Sequence, residues 1–112
     1  MGRTTGEDEV GAIVSRIGML FERAQGAAPA PEQGEIEEAL ADGYACLVAL
    51  EADRARITRR SSALFARGSG IHSAARELRG LNARLLSRDV DIARLRSLLA
   101  ELRDHASQVR LA

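Results

Sequence analysis

Ile71, Ala74, Leu78, Leu81, Leu85, Arg88, Ile92, Leu95, Leu99, Leu102, Ala106 and Val109 recur in alternating strides of three and four, and among them only Arg88 is not apolar. A seam of that period, held for more than five heptads, runs as one stripe along a helix and can be buried only against another helix. The preceding segment supplies the partner. Ile36, Leu40, Gly43, Leu47, Leu50, Arg54, Ile57, Ser61 and Leu64 repeat the same strides, and Arg67-Gly68-Ser69-Gly70 interrupts them. A connection that short makes the two helices antiparallel neighbours. The expected fold is all-α: a long antiparallel, coiled-coil-like hairpin plus a shorter N-terminal helix, a three-helix arrangement completed by oligomerisation.

The N-terminal helix is read from Val10, Ile13, Val14, Ile17, Leu20, Phe21 and Ala24, an apolar face that follows Thr4, Thr5, Glu7 and Asp8 at capping-box spacing. Gly11 and Gly18 lie inside it, each costing about 1 kcal/mol relative to Ala, so its order depends on docking. The chain therefore reads as one helical domain over 1–112, with helix one at 6–25, a linker at 26–34, helix two at 35–66, a turn at 67–70 and helix three at 71–109. Pro31 and the run Glu32, Glu35, Glu37, Glu38 suit the start of helix two, where a fixed φ and negative charge are both favoured.

Register follows from two patterns. Setting Leu64 against Ile71 pairs Ile57 with Leu78, Leu50 with Leu85, Leu47 with Arg88, Arg54 with Leu81, Gly43 with Ile92, Leu40 with Leu95 and Ile36 with Leu99. It also brings Arg60 to Glu77, Asp53 to Arg84 and Glu37 to Arg96. Sliding by one heptad sets Arg54 against Arg88 and Asp53 against Asp91, and like charges argue against that slip.

The chain sums to zero charge, but from Met1 to Asp53 eleven acids face three Arg, and from Arg54 onward thirteen Arg face five acids. Folding one part back on the other neutralises both. All sixteen basic residues are Arg, as a GC-rich bacterial genome gives, and lysine nucleophile or Schiff-base chemistry is absent with them. An acidic start without a leader pattern, and no apolar run near the ~18 residues of a membrane span, point to a cytoplasmic chain with no membrane partner. Cys46 has no second Cys or His at ligand spacing and reads as a small buried hydrophobe; His72 and His105 are too far apart along helix three to share a metal. No catalytic residue, metal site or cofactor is expected, and no arrangement of Ser, His and acid would activate a nucleophile.

Three features could carry function. Arg54 and Arg88 interrupt the seam, where guanidinium groups either grip a small anion or turn to the seam edge, with Arg88 reaching Glu51 or Asp91. Arg54, Arg56, Arg59, Arg60, Arg67 and Arg76 follow one another with no acid between them and gather at the turn end as a basic tip. With Phe65 the only aromatic nearby, that tip suits an acidic protein surface, such as the Glu-rich start of another copy, better than nucleic acid. Leu86 and Val90 lie on the far side of helix three from its seam, and helix one, ~30 Å long, covers only half of a ~58 Å hairpin, leaving apolar surface for a partner.

The expected function is therefore a non-enzymatic helical interaction or scaffold module, self-associating or part of a larger assembly, with itself or another protein as partner. In general plan the chain resembles the bacterial flagellar export chaperones, small all-helical chains with long hairpin helices, and that resemblance of architecture implies an adaptor holding a partner helix. A small all-α enzyme binding an anion through its seam arginines is the third reading.

Overall fold

Helix α1 spans Thr5–Glu22, α2 spans Gln33–Arg67 and α3 spans Ile71–Leu111. The computed structural model describes residues 5–27, 29–67 and 71–111, and no strand occurs among them. The turn at 68–70 and the side chain of Ile71, with its expected pairing to Leu64, lie outside the described residues.

α1 ends in a wider π-type turn over Arg23–Ala27, where Gly26 takes a φ of 97°. Only glycine enters that left-handed region without steric cost, and one such residue stops a helix as a C-terminal cap does. At the start of α2 Glu35 Oε1 reaches back to accept from Glu32 N at 3.3 Å, the N3-to-N-cap half of a capping box, and Ile36 N donates to Glu32 O at 3.2 Å as the first backbone bond of the helix.

α2 and α3 form the antiparallel hairpin, and α1 lies along one side of its terminal half. The rod measures 61 × 28 × 16 Å, its length that of the 41-residue α3. Two apolar clusters divide it. Val10, Ile17 and Leu20 of α1 join Ile36, Ala39, Cys46, Leu47 and Leu50 of α2 and Ile92, Leu95, Leu99, Leu102 and Ala106 of α3 in a three-helix core. Toward the turn only two helices remain, and Ile57, Leu64 and Leu81 close on each other with Leu78 and Leu85 at their edge.

These clusters correct the expected register. Gly43 packs on Leu99, where a Cβ would overlap Leu99 Cδ2, and not on Ile92. Leu50 belongs to the three-helix core, whereas Leu85 packs with Ile57 in the other cluster. The hairpin is set one heptad along from the alignment that the flanking charges favoured. Charge failed as a guide because an arginine side chain reaches across more than one turn. Arg60–Glu77 (2.7 Å) and Asp53–Arg84 (4.0 Å) both form, and Arg96 turns to Glu51 (2.6 Å) instead of Glu37.

Candidate functional site

Midway along the rod, two Asp–Arg dipeptide steps face each other: Asp53-Arg54 on α2 and Arg88-Asp89 on α3. Arg88 Nε donates to Asp53 Oδ2 at 2.6 Å, and Arg54 Nε donates to Asp89 Oδ1. Each seam arginine is thus neutralised by the acid beside the other one, and the like-charge clash of Arg54 with Arg88 does not arise. Arg88 is buried, at 6% exposure, and also has Asp91 within 3.8 Å. Of its two expected partners Asp91 is present; Glu51 is engaged by Arg96. Asp53 also accepts from Arg56 at 3.4 Å. The hydrogen bond from Arg88 holds the Asp53 carboxyl below the usual carboxylate range, against the opposing effect of burial.

This arrangement answers the anion-site reading of the seam. An open groove beside the quartet is lined by Glu51, Arg54, Ala55, Asp89, Ile92, Ala93 and Arg96, and its charged groups pair with one another: Arg54 with Asp89, Arg96 with Glu51. Neither seam arginine faces it as an unpaired cation. The signal in the sequence was the acid directly adjacent to each seam arginine.

The groove lies on the flank of the hairpin away from α1. On the α1 side the neighbours are Asp42, Ala45 and Cys46 of α2 and Ser87, Asp91 and Arg94 of α3. Val48 is one helical turn from Glu51 and Leu86 one turn from Asp89, next to the residues that line the groove, whereas Val90, one turn from both Ala93 and Arg94, lies on the back of α3 between the two flanks. Val48, Leu86 and Val90 are 65%, 67% and 66% exposed, and Phe65 near the turn is 76% exposed. Leu86 and Val90 are thus exposed apolar positions, with Val48 at a similar level on α2 and Phe65 farther toward the turn.

The run of arginines is divided. Arg54 sits in the quartet, Arg56 leans on Asp53 and Arg60 pairs with Glu77, whereas Arg59, Arg67 and Arg76 have no acid partner among the described residues.

A second polar site escaped the sequence reading. Arg23, at the end of α1, forks onto Glu35 (Nη1 to Oε2 2.6 Å, Nη2 to Oε1 3.0 Å) while its Nε donates to Pro29 O at 3.0 Å. One guanidinium thus ties α1, the connection and the first turn of α2 together, and Arg16–Asp42 (2.9 Å) repeats the pairing one layer on. The Arg23 hydrogen bonds pull the Glu35 carboxyl down from its ordinary range, helped by the Glu32 amide.

Cys46 lies in the three-helix core, and burial, followed by the charges of Glu9 and Asp91, pushes its thiol up, away from the thiolate that redox or metal chemistry needs. No group of three His, Cys, Asp or Glu able to hold a metal occurs among the described residues, and none of their helices is long and apolar enough to cross a membrane. The side chain of His72 lies outside the described residues. Comparison of the chain with models of known families, with curated proteins and with solved structures finds no match in any of the three.

Proposed function

We propose that the chain is a non-enzymatic helical interaction module that associates with itself through the hairpin flank opposite α1. The observation that carries this reading is the exposure of Val48 and Leu86 next to one groove, with Val90 behind Leu86 on α3 and Phe65 farther along α2, on a rod whose other flank is covered by α1 over its terminal half. Scattered exposed apolar residues are ordinary; large ones gathered on neighbouring stretches of two helices are the pattern of an interface. A two-fold pairing of two hairpins through this flank makes a four-helix centre with an α1 on each outer side, the commonest symmetry of homo-oligomers. Ion pairs across the groove, Arg54–Asp89 and Glu51–Arg96, give the centre of such an interface a polar layer of the kind that fixes register.

Sedimentation velocity at micromolar concentration in 0.15 M salt tests it. The expected mass is at least twice 12.0 kDa, falling to that of one chain in Leu86→Glu/Val90→Glu with helicity unchanged. A wild-type monomer that melts cooperatively overturns the reading in favour of an adaptor for another protein's helix.

A further inference from the structure

The rod is electrically polar along its length. Residues 54–88, which form its turn half, hold nine Arg against Glu77 alone, while the rest of the chain holds fifteen acids against seven Arg, so the two stretches of sequence sum to +8 and −8. The hairpin fold does not cancel them. Its cross-pairs Asp53–Arg88, Arg54–Asp89 and Glu51–Arg96 neutralise only the middle. Among the described residues, Arg59, Arg67, Arg76 and Arg79 toward the turn have no acid partner, and Glu22, Glu38, Glu101 and Asp104 toward the termini have no cation partner. With the rod 61 Å long and a Debye length of about 8 Å at physiological salt, one pole cannot screen the other within a chain.

We propose that the occupant of the open flank is a second copy of this chain lying antiparallel, the arginine-rich turn half of each alongside the acidic terminal half of the other. This rests on the self-association reading above and adds its direction. A parallel pair sets +8 on +8 and −8 on −8. A head-to-tail chain leaves a free pole at each end and grows without closing, whereas an antiparallel pair is two-fold, closed and neutral at both ends. Shape agrees with charge. α1 thickens only the terminal half, so antiparallel copies set the two-helix half of one against the three-helix half of the other.

The test uses two charge-reversed chains: Arg59→Glu/Arg79→Glu at the basic pole and Glu101→Arg/Asp104→Arg at the acidic pole, all at exposed positions. Each variant alone is expected to self-associate about tenfold or more weakly than wild type in 0.05 M salt, because each meets like charge in its partner. Mixed in equal amounts they are expected to regain wild-type affinity as a heterodimer, and raising the salt to 0.5 M is expected to weaken both the wild-type and the mixed dimer. Dimers indifferent to the reversals and to salt would overturn the antiparallel arrangement while leaving self-association standing. Tighter dimers in either variant alone would show a parallel pair, and a monomeric wild type would overturn both readings.

Discussion

Arg88 Nε lies 2.6 Å from Asp53 Oδ2, joining the one buried charged residue among the described positions to an acid on the facing helix. Arg88 occupies a seam position that a hydrophobe would ordinarily fill, so its charge is tolerated only because Asp53 and Asp91 stand beside it. The two partners are not equally buried, with side chains 8% and 22% exposed for Arg88 and Asp53. Their removal should therefore have unequal costs. Asp53→Asn leaves a buried guanidinium with only the distant Asp91 and is expected to destabilise by roughly 2 to 3 kcal/mol. Arg88→Leu extends the apolar seam and leaves Asp53 with Arg56 and Arg84, so it is expected to stay within about 1 kcal/mol of wild type. Urea unfolding of the two variants measures the difference; equal losses would show that the pair acts through its charge alone.

The same carboxylate makes stability depend on pH. Because the hydrogen bond from Arg88 lowers the Asp53 pKa in the folded state, its contribution is fully present above the unfolded carboxylate value of about 3.9 and is lost as pH falls from there through the lowered folded value. Between pH 6 and pH 3 the urea midpoint of wild type should fall further than that of Asp53→Asn, which has no carboxyl to titrate at this position.

Two glycines inside helices should respond to alanine with opposite signs. A Cβ at Gly80 meets open space, so Gly80→Ala is expected to stabilise by about 1 kcal/mol through helix propensity. A Cβ at Gly43 overlaps Leu99 Cδ2, and Leu99, buried at 1% exposure, can yield only against its core neighbours. Overpacking of that kind costs ~1 to 3 kcal/mol and outweighs the propensity gain, so Gly43→Ala should lower the melting temperature while Gly80→Ala raises it.

Arg23 is the clasp of α1. Arg23→Ala removes the fork on Glu35 and the bond to Pro29 O together, and faster amide exchange is expected throughout α1, with the Ile57–Leu81 cluster near the turn unchanged. Uniform acceleration over the whole chain would mean that α1 docking is not separable from the hairpin.

The hairpin and its three helices were legible in the sequence because the seam residues follow one period over two long segments, and a period survives any error in register. The register was not legible, for a physical reason: the alignment one heptad away buries an equally apolar seam, and flanking arginines reach acids at several levels. Arg60–Glu77 and Asp53–Arg84 form although Leu50 and Leu85 belong to different clusters. Counting Arg54 against Arg88 as a clash ignored Asp53 and Asp89, the neighbours that resolve it. Leu86 and Val90 were found as exposed apolar positions because their distance from the seam is a matter of phase. Arg23–Glu35 was hidden because the pairing depends on the path of the connection after Gly26, which no periodicity encodes.

The register on which the Arg–Asp quartet depends is tested most directly by intramolecular disulfide formation in a Cys46→Ala background. Ile57 and Leu85 pack in one cluster, so cysteines at those two positions should crosslink rapidly within a chain, whereas cysteines at Leu50 and Leu85, about 10 Å out of step, should not. Efficient crosslinking of positions 50 and 85 with none between 57 and 85 would contradict the register, and with it the placing of Arg54 and Arg88 opposite each other at the middle of the rod.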